Sequence, residues 1–186
     1  MGDAATATEA PPRRVLPVIV LAQLLGTSPW FAVNAVMPDL TAAHARAGGW
    51  PATAVATLSS SLQFGFVAGT LAFALAAVAD RYSARRVFLA CTAAASASTA
   101  AAAAMASSYA ALLAWRILTG FFIAGIYPVG MKIAAQWFPR GLGAALGWLI
   151  GALVVGSSSS HALRALAAGG TGVPWQAVLV AVALLC

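Results

Sequence analysis

Acidic side chains are almost missing from this sequence: Asp and Glu number four in 186 residues, and only Asp39 and Asp80 lie beyond the first ten positions. Neither falls within a long apolar run, which removes the paired carboxylates that an acid–base enzyme would use, so the chain is not read as an enzyme. Cysteine is nearly as scarce. Cys91 and Cys186 stand alone in apolar stretches, so no disulfide framework is indicated. His44 and His161 have no ligand-spaced partners, which leaves no metal site and no cofactor to expect. Charged residues make up 8% of the chain, far below the roughly 25% of a soluble domain. The net charge of +6 is scattered between apolar stretches with no contiguous patch, so no nucleic-acid partner is expected.

What fills the chain instead is apolar sequence, at 62% of residues and a mean hydropathy of +0.90. It falls into runs long enough to cross a bilayer, which takes about 20 residues. Helices are expected at about 15–37, 53–79, 86–106, 109–133 and 141–160, with a sixth, at 174–186, too short to cross and therefore incomplete. The fold class is all-α, a six-helix transmembrane bundle at 13–186, preceded by a disordered tail at 1–12. Arg13 and Arg14 before an apolar run resemble the start of a signal peptide, but the run is too long for a signal h-region of about 7–15 residues.

The first helix carries Gln23, Thr27, Trp30 and Asn34 at i, i+4, i+7 and i+11, one polar face of an α-helix. That seam serves either interhelical hydrogen bonding or a water-filled path. Pro38 and Asp39 are expected to end this helix, with His44, Arg46, Gly48 and Gly49 in the following loop. The second helix holds Ser59, Gln63, Phe66 and Thr70 on one face, and Gly65 and Gly69 at the spacing that lets helix backbones meet. Glycines at 143, 147 and 151 form a similar seam on the fifth, beyond which His161 and Arg164 are expected in a loop.

Arg116 is the one charge well inside a span, roughly 10 Å along the fourth helix at 1.5 Å per residue. Inserting it costs about 3 kcal/mol on translocon scales, so it faces a cavity or a partner unless it snorkels to the headgroups. Tyr127, at i+11, shares its face, while Pro128 and the nearby glycines loosen the rest of that helix. No carboxylate in the sequence is placed to meet Arg116 at mid-span, so an anion or an acid from elsewhere is the expected partner.

Sidedness is read from the loops. Arg13, Arg14, Arg81, Arg85, Arg86, Lys132 and Arg140 collect on one side, against Arg46 and Arg164 on the other. Basic residues in short loops resist translocation, which places the N-terminus and the loop at 79–86 in the cytoplasm and the chain in a cell (inner) membrane.

These residues resemble the N-terminal half of a major facilitator superfamily transporter. The superfamily's loop between its second and third helices reads Gly-x-x-x-Asp-Arg-x-Gly-x-Arg-Arg, and Asp80, Arg81, Arg85 and Arg86 match it, with Ala76 and Ser83 in place of the glycines. Its fourth helix carries Arg-x-x-x-Gly, matched by Arg116 and Gly120. Within the superfamily the sequence looks most like the bacterial nitrate/nitrite-porter-like branch, although Gln63 is the strongly polar residue of the second helix, where those porters have arginine.

The resemblance implies half of a 12-helix secondary transporter, whose six helices are two three-helix repeats of inverted topology. It implies a small-molecule solute, alternating access in which the first and fourth helices line the path, and a missing C-terminal half-bundle. Arg116, Gln23, Thr27, Asn34, Gln63 and Tyr127 are then path residues, and Asp80, Arg81, Arg85 and Arg86 form a gating loop. The competing reading is a non-transporting membrane scaffold or channel subunit, which packing alone would satisfy.

Overall fold

A computed structural model describes residues 13–45, 49–168 and 174–186. The expected tail at 1–12, Arg46 and Gly48 of the first loop, and the end of the last link at 169–173 lie outside the described residues. The helices are α1 (Val15–Gly26), α2 (Ala32–His44), α3 (Ala54–Leu75), α4 (Val78–Arg81), α5 (Ala84–Ala104), α6 (Tyr109–Ile123), α7 (Tyr127–Trp137), α8 (Leu142–Ala168) and α9 (Trp175–Leu185). They make five spans of bilayer length, at Val15–His44, Ala54–Leu75, Ala84–Ala104, Tyr109–Trp137 and Leu142–Ala167, with the shorter apolar α9 as the sixth helix.

Two spans are broken near their middles. The first passes through a 3-10 turn at Ser28–Phe31, where Pro29 supplies no N–H to the preceding turn. The fourth is interrupted at Ala124–Ile126, just before Pro128, whose ring has no N–H for the carbonyl of Ala124. Gly125 lies at that second break because nothing larger fits: a Cβ there would stand 2.2 Å from Cys91 Sγ.

Several helix ends differ from the sequence reading. α2 continues through Pro38 and Asp39 to His44. Its buried face of Val33, Val36, Met37 and Leu40 packs with Leu58, Leu112, Leu179 and Val182, and that packing outweighs the roughly 3 kcal/mol that an interior proline costs. α8 likewise runs on past Ser160, so His161 and Arg164 lie on a helix and not in a loop. α3 stops at Leu75 and not near Ala79, because Ala77 turns left-handed at φ 48°, the conformation that commonly terminates helices.

Glycine decides which helices touch most closely. A Cβ on Gly65 would stand 2.0 Å from the Ile117 carbonyl oxygen, and one on Gly120 2.0 Å from that of Leu62, so α3 and α6 meet backbone to backbone. Gly156 does the same for α8 against α1, at 2.1 Å from the Leu24 carbonyl oxygen. Among the described residues, a Cβ on Gly143, Gly147 or Gly151 of the seam would meet nothing within 4 Å.

Second span on fourth is matched by fifth on first, third on fourth by sixth on first, and third packs on sixth. Exchanging the first three spans for the last three preserves that pattern, as inverted three-helix repeats require. Large apolar side chains such as Phe64, Leu71, Leu89, Trp148 and Val155 point outward, the arrangement that hydrocarbon rather than water stabilises.

Candidate functional site

The break in the first span removes regular helical donors from a run of carbonyls in the middle of the bundle. A buried carbonyl without a donor costs about 1–3 kcal/mol, so each needs a partner. Local N–H groups and side chains from other parts of the bundle supply them in succession, the Ala32 N–H among them for the Pro29 carbonyl. The Gly26 carbonyl accepts from the Cys186 thiol, a weak donor, at 3.6 Å, and the Thr27 carbonyl accepts from the Trp30 N–H at 3.1 Å. The Ser160 hydroxyl donates to the Ser28 carbonyl at 2.7 Å. Arg116 donates from one terminal nitrogen to the Pro29 carbonyl at 3.2 Å and from the other to that of Trp30 at 2.9 Å.

Arg116 therefore does not face an open cavity. It is 2% exposed, and the same nitrogen that reaches Trp30 also reaches Asn34 Oδ1 at 3.2 Å. Asn34 passes the contact on, its amide donating to the Ser59 hydroxyl at 2.5 Å, which donates to the Val55 carbonyl at 2.7 Å. Fourth, first and second spans are thus joined through one guanidinium and one amide. Arginine suits the position because its planar fork reaches several acceptors from one charge. Sequence reasoning looked for a carboxylate or an anion to meet Arg116. Apart from Asn34, the partners are backbone carbonyls, which no residue pattern displays; Pro29, at the center of an apolar run, is the available signal.

The polar seam of the first span does not persist as one face. The 3-10 turn changes the helical phase between Thr27 and Trp30, so Asn34 joins Arg116 while Gln23 and Thr27 turn elsewhere. The Thr27 hydroxyl donates back to the Gln23 carbonyl at 2.8 Å. Gln23 is fully buried against α7, where a Cβ on Gly130 would stand 2.5 Å from its Oε1, and its side-chain amide has no partner among the described residues. Trp30 packs edge-on to Phe66 at 5.1 Å. Gln63 is exposed on α3, and Tyr127 opens α7 beyond the second break, half-buried and without a hydrogen bond to Arg116.

At the end of the bundle where the basic residues gather, Asp80 forms an ion pair with Lys132, whose ammonium also donates to the Ala79 carbonyl at 2.6 Å. This ties α4 to the last turns of the fourth span. Arg81, Arg85 and Arg86 are exposed. A cavity of about 590 Å³ opens at this end between α1, α5 and α7, with Arg14 and Arg85 among its lining residues. At the opposite end Arg164 forms a two-pronged ion pair with Asp39, both contacts at 2.6 Å. Lys132, Ser160 and Arg164 were missed as partners in the sequence. The sequence pattern puts the last two at a helix end and in a loop, which hides their alignment along α8.

Comparison with known proteins agrees with this architecture. No curated protein and no solved structure matches the chain. A family model described as Major Facilitator Superfamily matches residues 19–186. Together with the five apolar spans, that match shows that the chain belongs to the Major Facilitator Superfamily, multi-pass membrane proteins that carry solutes across the bilayer.

Proposed function

We propose that this chain is the N-terminal bundle of a secondary transporter that moves a small solute by alternating access, with the N-terminus in the cytoplasm of an inner membrane. The observation that carries this reading is the broken first span, with its carbonyls at Gly26, Ser28, Pro29 and Trp30 met by side chains from other parts of the bundle. Such a break shapes a wall at the depth where carriers of this kind bind solute. A second bundle supplies the opposing wall; the uncovered glycine seam of α8 offers it a close approach.

In this reading Arg116 shapes the path as well as charging it. Among the described residues no carboxylate bonded to its guanidinium balances it, so the bundle interior carries net positive potential, which favours an anionic solute, and a proton carried with the anion would offset its charge. The resemblance to the nitrate/nitrite-porter-like branch points the same way. Gln23, Thr27, Asn34, Gln63 and Tyr127 contribute polar groups along or beside the path. Asp80, Arg81, Arg85 and Arg86 gate it on the cytoplasmic side, where Asp80 exchanges its Lys132 contact for one on the second bundle. Arg85 and Arg86 lie in the first turn of α5, where the helix dipole disfavours cations, so membrane sidedness explains them better than helix stability does.

The test is uptake by membrane vesicles carrying the assembled transporter, assayed with labelled nitrate, nitrite and other small anions with and without a proton gradient. Saturable uptake driven by a gradient and abolished by Arg116→Ala is expected. Flux that rises linearly with solute and ignores every gradient would replace the carrier with a channel.

A further inference from the structure

We infer that Gly156, Ser160 and Arg164 of α8 are positioning residues for the first span, fastening α1, the break and α2 to the fifth span so that the two spans move as one body. This rests on the transport reading above, in which the first span lines the path. The three residues recur at i, i+4 and i+8, one stripe about 12 Å long at 1.5 Å per residue.

Each meets a different part of the first span. Gly156 lets α1 approach so closely that a Cβ would stand 2.1 Å from the Leu24 carbonyl oxygen and 2.5 Å from Thr27 Oγ1. Four residues on, the fully buried Ser160 donates to the Ser28 carbonyl at the break, at 2.7 Å. After four more, Arg164 grips both oxygens of Asp39 in the middle of α2, each at 2.6 Å. The contacts occur in the same order along both helices, so α8 follows the first span through its bend. Arg116 holds the break to the fourth span but reaches no further along α2 than Asn34. Beyond Asn34 the Arg164 pair adds a directional tie to the apolar packing of α2.

The pair has the features of a specific fastening. Its side chains are 27% and 28% exposed, so it is partly withdrawn from screening, and the paired parallel bonds set geometry as well as energy. It also accounts for the one Asp of α2 and the one Arg of α8.

Amide hydrogen exchange of the purified protein in lipid nanodiscs tests the inference without any solute, so its outcome is separate from whether the protein transports. Arg164→Ala and Ser160→Ala should each speed exchange about tenfold or more within residues 28–44, leaving 54–75 and 109–123 unchanged. Arg164→Lys, which keeps charge but loses the fork, should fall between them and the parent. The reversed pair, Asp39→Arg with Arg164→Asp, should restore protection. Unchanged exchange in 28–44, equal acceleration in every span, or no recovery in the reversed pair would each overturn the assignment.

Discussion

Arg116→Ala is expected to destabilise the folded bundle by at least about 2 kcal/mol. The change removes three hydrogen bonds, to the carbonyls of Pro29 and Trp30 and to Oδ1 of Asn34, of which the Pro29 carbonyl keeps the Ala32 N–H. Hydrogen bonds between membrane helices average about 0.6 kcal/mol, so three set a floor near 2 kcal/mol. Acceptors left buried without a donor cost about 1–3 kcal/mol each, which raises the ceiling well above that floor. Relief from burying a cation does not offset the loss, because the separated fourth span would carry the same cation into the bilayer. For a chain of this length 1 kcal/mol corresponds to about 2–4 °C, so Tm should fall by about 4–8 °C or more, followed by tryptophan fluorescence in detergent. Lysine at the same site retains the charge but concentrates its donors at one point, and should recover no more than about a third of the loss. An alanine variant with unchanged Tm, or a lysine variant equal to the parent, would refute the clamp.

Gly65→Ala and Gly120→Ala should each cost about 1–3 kcal/mol by forcing α3 and α6 apart, whereas Gly143→Ala, with nothing within 4 Å, should leave Tm unchanged. Equal Tm values in all three would remove the backbone contact from the account. Asp80→Asn should slow transport strongly without reducing membrane insertion, since it weakens the pair with Lys132 and alters no span; uptake at the parent rate would confine the loop to topology. A thiol placed at Ser83 should react with an impermeant reagent only from the cytoplasmic side, and one at Ala52 only from the other. The opposite labelling would invert the proposed orientation.

The sequence alone determined that this is a helical membrane protein and where its spans lie, because apolar length and the scarcity of charge are one-dimensional properties. It also identified Arg116 as the costly residue and Gly65 with Gly69 as a close-packing pair, since both signals reside in residue type and spacing. The ends of α2 and α8 were legible only in part. Pro38 reads locally as a terminator and the apolar run of the fifth helix gives out at Ser160, whereas the contacts that carry both helices further come from residues distant in the chain.

The backbone partners of Arg116 were decided by tertiary structure alone. Besides Asn34, its acceptors are the carbonyls of Pro29 and Trp30 at the turn at Ser28–Phe31. A backbone carbonyl is present at every position, and only the bend, with Ser160 and Cys186 closing on its other carbonyls, determines which ones side chains from elsewhere can reach. The same bend divided the seam of Gln23, Thr27, Trp30 and Asn34, whose common face assumed an unbroken helical period. Long-range ion pairs were hidden for a related reason: Asp39 and Arg164 are 125 positions apart, and their meeting depends on α8 extending far enough past Ser160 to bring the arginine alongside.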